Sequence, residues 1–265
     1  MTRSLFRFGL LEARRGKFAD VLDDVRGVNL VVTSPPYNIG SKSPKQITAR
    51  SRGGYDAKSW GAIEGYADKR PEATYQESQA AFLRWCEQRL AKGGVIVYNH
   101  KDRHVKGRLI SPLEWILKVS DVLVIHDQIV WDRGSTHNHS PAFCYPENEY
   151  IFVLKRPREK IAFKNQDFFW KLNPNKGCST VWRIPPHITR HNPHNAPFPL
   201  HLAQHCVRLW SKPGDLVCDP YLGSGTSLIA AGLEGRRFVG SEMLDNYFQL
   251  VQDRARETLR AGAVA

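Results

Sequence analysis

The sequence predicts an α/β protein built on a doubly wound, mostly parallel sheet of seven strands. Three observations favour this class: apolar runs of strand length alternate with helical patterns, no internal repeat interrupts them, and two of the runs end in loops suited to ligand contact. The 265 residues suffice for one domain of moderate size with a full core.

Strands are predicted where short apolar runs stand between turn residues, at 5–9, 30–33, 95–98, 121–131, 149–155, 216–218 and 238–240. The runs at 121–131 and 149–155 are long and are either apolar throughout or alternate between apolar and polar residues. We therefore expect these two to pair antiparallel at the edge of the sheet.

Helices are predicted from apolar residues at helical spacing, over 74–90, from 111 onward, over 199–210, from 227 onward and over 245–260. Thr74 and Glu77 have the spacing of a capping box, and Gly93 with Gly94 is expected to end the first helix. Ser111 begins a second capping box, with a proline at the first helical position.

The first ligand-type loop is Ser34-Pro35-Pro36-Tyr37, directly after the strand at 30–33. Two prolines fix the backbone and remove two N–H donors, so the carbonyls stay rigid beside a hydroxyl and an aromatic face. Such a loop offers acceptors to an amino group and a stacking surface to a flat ring. An ordinary proline-rich turn at the end of a strand is the alternative interpretation.

The second loop runs from Asp219 to Thr226 and follows the strand at 216–218. Gly223 and Gly225 allow the backbone to approach a bound molecule, and the amides that begin the next helix point at it. The spacing is neither the dinucleotide fingerprint nor a P-loop, because no lysine follows the glycines. Glu242 ends the next strand, where an acid usually holds a ribose; a solvated loop carboxylate is the alternative.

Ligands of open α/β sheets bind at the carboxyl ends of strands, so both loops are expected at one cleft. With the two motifs in this order, the chain resembles a DNA amino-methyltransferase of the permuted β group, the N6-adenine/N4-cytosine family. That family carries a (D/N/S)PP(Y/F) catalytic motif near the N-terminus and an FxGxG-type motif near the C-terminus. Here they are Ser34-Pro35-Pro36-Tyr37 and Tyr221-Leu222-Gly223-Ser224-Gly225, with Tyr221 in place of the usual phenylalanine.

The resemblance covers nearly the whole chain and implies a circularly permuted S-adenosylmethionine-dependent methyltransferase fold, with residues 1–265 as a single methyltransferase domain. It implies a site-specific DNA methyltransferase that moves a methyl group from S-adenosylmethionine to an exocyclic amino group, adenine N6 or cytosine N4, of a flipped base. The residues that would bind the cofactor are Phe198, Asp219, Tyr221, Gly223, Ser224, Gly225, Thr226 and Glu242.

The catalytic residues would be Ser34, Pro35, Pro36 and Tyr37. Tyr37 would stack on the extruded base, while the Ser34 hydroxyl and the Pro35 carbonyl accept hydrogen bonds from its amino group. Transfer would be a direct displacement aided by positioning, so no cysteine is assigned as a nucleophile. A serine at the first position leans toward cytosine, but serine-containing adenine enzymes are also assigned to this group, and both target bases stay open.

Two segments outside the α/β pattern are candidate DNA contacts. Residues 39–71 follow the catalytic motif, and we expect a mobile DNA-facing loop; a surface insertion without DNA contact is the alternative. Residues 156–195 are basic, contain interleaved aromatic residues and occupy the place of the family's target-recognition segment. The aromatic residues at 168–170 would either wedge between bases or form a small core or subunit contact. The candidate DNA-binding residues are Lys42, Lys45, Arg50, Arg52, Lys164, Lys171, Lys176, Arg183 and Arg190.

The formal net charge of +12 suits double-stranded DNA as a partner, and the family makes a homodimer and a cognate restriction enzyme further candidates. The alternative functions are an RNA or protein-amide methyltransferase, whose motifs usually come in the reverse order, and a catalytically inactive DNA-binding relative. Five cysteines without paired spacing, no bilayer-length apolar run and no signal peptide predict a cytoplasmic protein. His201 and His205 have ligand spacing but lack the HExxH pattern, so no metal is expected.

Overall fold

The computed structural model describes residues 4–39, 69–134, 144, 147–186 and 198–262. Within them, a nine-stranded sheet forms the centre of the protein, with the spatial order β1-β2-β11-β10-β3-β4-β8-β7-β9. Its strands are β1 (Leu5–Phe8), β2 (Leu11–Arg15), β3 (Val28–Thr33), β4 (Leu90–His100), β7 (Val124–Asp132), β8 (Asn148–Lys155), β9 (Val181–Arg183), β10 (Leu216–Asp219) and β11 (Arg237–Glu242). A separate hairpin consists of β5 (Arg103–Val105) and β6 (Arg108–Ile110).

The sheet is mostly parallel, as predicted. Strands β2, β11, β10, β3 and β4 are parallel neighbours, whereas β8 runs antiparallel to both β4 and β7. All seven predicted strands are present, and β2 and β9 add to them. The β7–β8 pair is antiparallel as expected, but β9 lies outside β7, so the pair does not form the edge.

The helices are α1 (Phe18–Val21), α2 (Glu72–Glu87), α3 (Leu113–Ile116), α4 (Gln166–Leu172), α5 (Leu200–Trp210), α6 (Thr226–Leu233) and α7 (Asp245–Gly262). None of them, within the part of the chain that the structure describes, combines the length and the apolar character that a membrane span needs.

Two predicted helix signals were wrong. Helix α2 begins after Pro71 with no side-chain cap, so Thr74 lies inside the helix rather than capping it. The predicted stop at Gly93 and Gly94 lies within β4. Gly94 is needed there for a different reason: a Cβ at this position would come within 2.7 Å of the Val28 carbonyl oxygen on the neighbouring strand. At the second predicted capping box, α3 begins directly after Pro112, and the Ser111 hydroxyl accepts a hydrogen bond from the Leu113 amide at 3.4 Å.

Both faces of the sheet are covered, which is the doubly wound arrangement. Along β4, Val95 and Val97 pack in the core under α5, α6 and α7, while Ile96 and Tyr98 pack in the core under α2 and α3. Side chains alternate between the two faces because successive residues of a strand point in opposite directions. With both faces filled, the loops at the carboxyl ends of the parallel strands are left to form a site.

Candidate active site

The two motif loops meet at the centre of the sheet. They are the catalytic loop, residues 34–37, and the glycine loop, residues 219–226. Strands β3 and β10 are parallel neighbours, so the loops that follow them leave the same edge. From here the chain proceeds outward in opposite directions, to β4 on one side and to β11 on the other. Such a reversal of strand order is where open α/β sheets bind ligands.

A hydrogen bond joins the loops directly. The Thr33 hydroxyl donates to Oδ1 of Asp219 at 2.9 Å, although the two residues are 186 positions apart in the sequence. Both border one hollow, together with Ser34, Phe198, Gly223 and Thr226. The prediction that the loops share a cleft is therefore confirmed.

The hydroxyl of Tyr37 is tied into a buried polar cluster. It lies 2.8 Å from Oγ of Ser34, 3.0 Å from Oδ1 of Asn99 and 2.9 Å from Oε2 of Glu149. The other oxygen of Glu149 accepts from Arg133 at 3.0 Å. Burial, followed by the charge of Glu149, raises the pKa of Tyr37 well above its usual value, so the side chain remains a hydroxyl.

The ring of Tyr37 packs against His100, with centroids 4.4 Å apart, and Lys101 Nζ lies 5.6 Å from its centre. The side chain is only half-buried. A planar group at the rim of the site could therefore still contact this ring.

A further set of hydrogen bonds, through His100 and Tyr75, holds the catalytic loop at Pro36. The Lys101 amide donates to Nδ1 of His100 at 2.8 Å, and the Tyr75 hydroxyl donates to the Pro36 carbonyl at 2.8 Å. His100 Nε2 lies 2.7 Å from the same hydroxyl, so a proton on Nε2 satisfies these three bonds. The Lys101 carbonyl also lies 2.9 Å from Nδ1, which would donate to it only in the other tautomer. Burial lowers the pKa of His100 to about 3, which keeps the ring neutral.

The segment after the catalytic loop is clamped at its base. Asn38, in the left-handed conformation with φ 56°, donates to the Arg70 carbonyl at 3.1 Å and accepts from the Arg70 amide at 2.7 Å. Residues 40–68 of the predicted DNA-facing loop, with the four candidates Lys42, Lys45, Arg50 and Arg52, lie outside the described residues.

The glycine loop is organised by Asp219. Its Oδ1 accepts from Thr33 and from the Tyr221 amide at 3.0 Å, and its Oδ2 accepts from Ser227 at 2.5 Å. Burial raises the pKa of Asp219 to about 6, while these hydrogen bonds act in the opposite direction. Its oxygens thus already serve both loops, so Asp219 would act on a ligand mainly by shaping the turn.

Glu242, at the end of β11, also holds the glycine loop through its carboxylate, as Asp219 does. It is buried, and its carboxylate accepts from the Gly223 amide at 2.9 Å and from the Leu244 amide at 2.8 Å. Gly223 and Gly225 have φ values of 53° and 84°, the left-handed region that favours glycine.

Helix α6 begins at Thr226 without a side-chain cap on its first amides, and Thr226 and Ser227 border the hollow. An uncapped helix N-terminus attracts anionic and polar ligand groups. Arg254 of α7 holds the loop in place, because its guanidinium donates to the carbonyl and hydroxyl of Ser224 and to the hydroxyl of Thr226.

The two remaining predicted cofactor residues differ in what their rings contact. Phe198 borders the hollow at the start of α5, with its ring centroid 6.3 Å from that of Trp131. Tyr221 borders it as well, but its ring packs into the core against Phe18 and Phe82, at centroid distances of 5.3 Å and 4.9 Å. An aromatic residue at this motif position therefore also anchors the loop to the core.

The predicted DNA contacts are spread over the structure. Arg183 ends β9, next to Asp132 of β7 at 3.5 Å, and lies at the same edge as the catalytic loop. The Lys164 amide donates to the Leu209 carbonyl, so this residue lies beside the C-terminal end of α5, opposite the hollow. Lys171 and Lys176 are exposed in and after α4, and Arg190 lies outside the described residues.

The aromatic residues of 168–170 favour the core interpretation over base wedging. Phe169 stacks on Phe163 at 4.7 Å, and Phe168 contacts His205 of α5 at 5.2 Å, whereas Trp170 is exposed. His205 is thus part of this packing, and its Nδ1 lies 2.8 Å from the His201 carbonyl. Among the described residues, no group of three or more His, Cys, Asp or Glu side chains could hold a metal ion.

Sequence reasoning missed four residues that support the catalytic loop: Tyr75, Asn99, His100 and Glu149. They belong to α2, β4 and β8, and only the pairing of β4 with β8 brings the last three together. A signal did exist, since Asn99 and His100 are polar residues at the end of an otherwise apolar run.

Comparisons with known proteins agree with this geometry. A family model of N6/N4 methyltransferases, described as DNA methylase, matches residues 28–253. The Type II methyltransferase M.MthZI of Methanothermobacter thermautotrophicus is 26% identical, over 89% of this chain and 73% of its own. The Type II methyltransferase M.BglI of Bacillus subtilis is 28% identical over 62% of this chain, and that match spans 48% of the relative, about half its length.

A solved structure matches as well. A protein of Thermus thermophilus, assigned as a DNA modification methylase, is 28% identical, covers 92% of this chain and 94% of its own, and superimposes with a TM-score of 0.64. The same protein has been solved in complex with S-adenosylmethionine, with a TM-score of 0.63.

Proposed function

This chain belongs to the N6/N4 DNA methylase family, and from that premise we propose that it is a site-specific methyltransferase. It would move a methyl group from S-adenosylmethionine to an exocyclic amino group, adenine N6 or cytosine N4, of a base extruded from double-stranded DNA. The observation that carries the proposal is the hydrogen bond between Thr33 and Asp219, because it holds the catalytic loop and the glycine loop at one hollow.

The residues at the glycine loop fit the cofactor. The left-handed glycines Gly223 and Gly225 permit close approach of a ligand, and the first amides of α6 would face its polar groups. Phe198 would cover it from the start of α5. When bound, S-adenosylmethionine supplies an electrophilic methyl group on a positively charged sulfur.

The catalytic loop would hold the target amine. The Ser34 hydroxyl and the Pro35 carbonyl would accept its hydrogens and direct the nitrogen lone pair toward the methyl group. The Pro36 carbonyl already accepts from Tyr75, which leaves the preceding carbonyl for this role. The ring of Tyr37 would stack on the base.

Direct displacement also agrees with the cysteines. Chemistry at cytosine C5 would need a thiolate, but Cys86, Cys206 and Cys218 are buried and burial raises the pKa of each. These three therefore stay thiols.

The partners follow from charge and chemistry. A net charge of +12 favours DNA, and Arg183 offers a cation at the edge where a duplex would lie. A homodimer, a cognate restriction enzyme and a cytoplasmic location complete the proposal. Sedimentation of the purified protein tests the first. The second is tested by whether an endonuclease from the same host cleaves unmodified DNA but not DNA that this protein has methylated.

The deciding experiment is nucleoside analysis of duplex DNA incubated with the protein and methyl-labelled cofactor. We expect label in N6-methyladenine or N4-methylcytosine, and the same digest identifies which base is modified. Label found only in 5-methylcytosine, or transferred to RNA and not to DNA, would refute the proposal.

A further inference from the structure

Glu149 is a buried acid that the proposed mechanism does not use. It lies near the start of β8, is only 6% exposed, and is 112 positions from Tyr37 in the sequence. Arg133 neutralises one of its oxygens at 3.0 Å, and the hydroxyl of Tyr37 lies 2.9 Å from the other. A carboxylate in such a position is costly to bury unless it is paired and hydrogen-bonded, as Glu149 is.

The charge of Glu149 sets the direction of the hydrogen bonds around Tyr37. A carboxylate only accepts hydrogen bonds. Asn99 also presents an acceptor to Tyr37, its amide oxygen, because its amide nitrogen donates to the Tyr150 carbonyl at 3.0 Å. The single proton of Tyr37 must therefore point toward this side. Its oxygen is then left to accept a proton from Ser34 at 2.8 Å.

The same logic extends to Ser34. Once its proton points at Tyr37, the lone pairs of its oxygen are what it can offer to the hollow that it borders. A serine hydroxyl alone can act as a donor or as an acceptor. The target amine donates its hydrogens, so it needs the orientation in which the serine oxygen accepts. The carboxylate two hydroxyls away removes that ambiguity.

We propose that Glu149 is a positioning residue for methyl transfer: through Tyr37 it makes Ser34 an acceptor for the target amine, and it takes up the proton that the amine loses. This inference rests on the proposed function. It concerns how the same site handles a proton, for which the serine of the catalytic loop has no capacity of its own.

The step balances. The bond from nitrogen to the methyl carbon forms as the bond from sulfur to that carbon breaks, so the positive charge moves from sulfur to nitrogen. The nitrogen then gives one proton to Oγ of Ser34, Ser34 passes its own proton to Tyr37, and Tyr37 passes its own to Oε2 of Glu149. Ser34 and Tyr37 end as neutral hydroxyls, and Glu149 ends protonated until solvent removes the proton after product release.

The first test is Glu149→Gln, which keeps the shape of the side chain and removes its charge. We expect kcat to fall by about 100-fold, at the lower end of the range for general acid–base groups, while KM for DNA and cofactor affinity change less than about two-fold. Glu147→Gln is the matched control, because Glu147 is an exposed carboxylate two positions away and its substitution should leave kcat unchanged.

The second test separates this role from a structural one. Ser34→Asp places a carboxylate directly at the target amine, so the double variant Ser34→Asp with Glu149→Gln should regain at least about ten-fold in kcat over Glu149→Gln alone. Tyr37→Phe keeps the ring but removes the hydroxyl through which the proton would pass from Ser34 to Glu149. The double variant Tyr37→Phe with Glu149→Gln should be no more than about three-fold slower than the slower single variant, because the two substitutions interrupt the same proton pathway.

The outcomes are distinguishable. If the wild-type protein methylates DNA and Glu149→Gln keeps its kcat, the inference is wrong and the proposed function stands. If the wild-type protein transfers no methyl group to DNA, the proposed function itself fails. Should Glu149→Gln not fold, as judged by its thermal transition, full activity of Tyr37→Phe would overturn the inference by itself.

Discussion

The hydroxyl of Tyr75 lies between two partners, 2.7 Å from Nε2 of His100 and 2.8 Å from the carbonyl oxygen of Pro36. A helix side chain thereby connects the end of β4 to the turn that follows β3. The catalytic loop is supported by this bridge as well as by the stiffness of its two prolines.

We predict that Tyr75→Phe loosens this support. The substitution leaves the partly buried Pro36 carbonyl and the buried His100 ring without their partner, which should lower the free energy of unfolding by about 1–3 kcal/mol. We also expect kcat to fall while cofactor affinity stays near the wild-type value, because the bonds that are lost are those to Pro36 and His100. Urea unfolding and calorimetry measure both; an unchanged kcat would show that the prolines alone fix the loop.

Asp219 should give a measurable pH dependence of stability. Its pKa is raised from 3.8 to about 6, so the folded state disfavours the charged form by roughly 3 kcal/mol. The folded state therefore binds more protons than the unfolded chain between these two pKa values. The free energy of unfolding should fall by this amount as pH rises from about 4 to about 6.

Asp219→Asn does not titrate, so it should gain stability relative to the wild type over that interval. Denaturant unfolding at several pH values measures the difference, and carboxyl carbon shifts in NMR spectra measure the pKa itself. A carboxyl that titrates near 4 in the folded protein would contradict the prediction.

Gly225→Ala should weaken cofactor binding. Gly225 has a φ of +84°, and an added Cβ would come 3.2 Å from the side chain of Val251. The loop must shift, so we expect at least about a ten-fold loss of affinity for S-adenosylmethionine in calorimetry, together with a backbone cost of about 1 kcal/mol.

Gly214→Ala is the matched control for that experiment. Gly214 has nearly the same φ, +83°, with open space around it, and it precedes β10 at the opposite end of the strand from the hollow. Its substitution should bring a similar strain and leave affinity unchanged. Equal losses of affinity in both variants would point to general destabilisation rather than to the loop.

Arg183→Ala should weaken binding to duplex DNA of any sequence and reduce the slope of log affinity against log salt by about 1. The reason is its position at the catalytic edge, beside Asp132. Lys164→Ala is the comparison, since Lys164 lies at the other end of α5 and should leave the slope unchanged. The reverse pattern in fluorescence anisotropy titrations would place the DNA on the opposite side of the sheet.

The sequence predicted those features that depend on neighbours along the chain. Buried strands that end in Ser34-Pro35-Pro36-Tyr37 and in a glycine turn are local patterns, and strand order at the switch point brings them together. Glu149 could not be predicted in the same way, because its contact with Tyr37 depends on how β8 pairs with β4. Gly94 was misread because a glycine after a helix usually ends it, whereas here close approach of a neighbouring strand requires it.

Arg254 links the last helix to a hollow that none of the described residues of α7 borders. Unwinding of α7 would break these contacts, so anything that steadies the glycine loop also makes that unwinding less favourable. Deuterium should therefore enter the amides around Arg254 more slowly once S-adenosylmethionine is bound. The C-terminal helix would then report occupancy from a distance, in a protein that needs no attached dye.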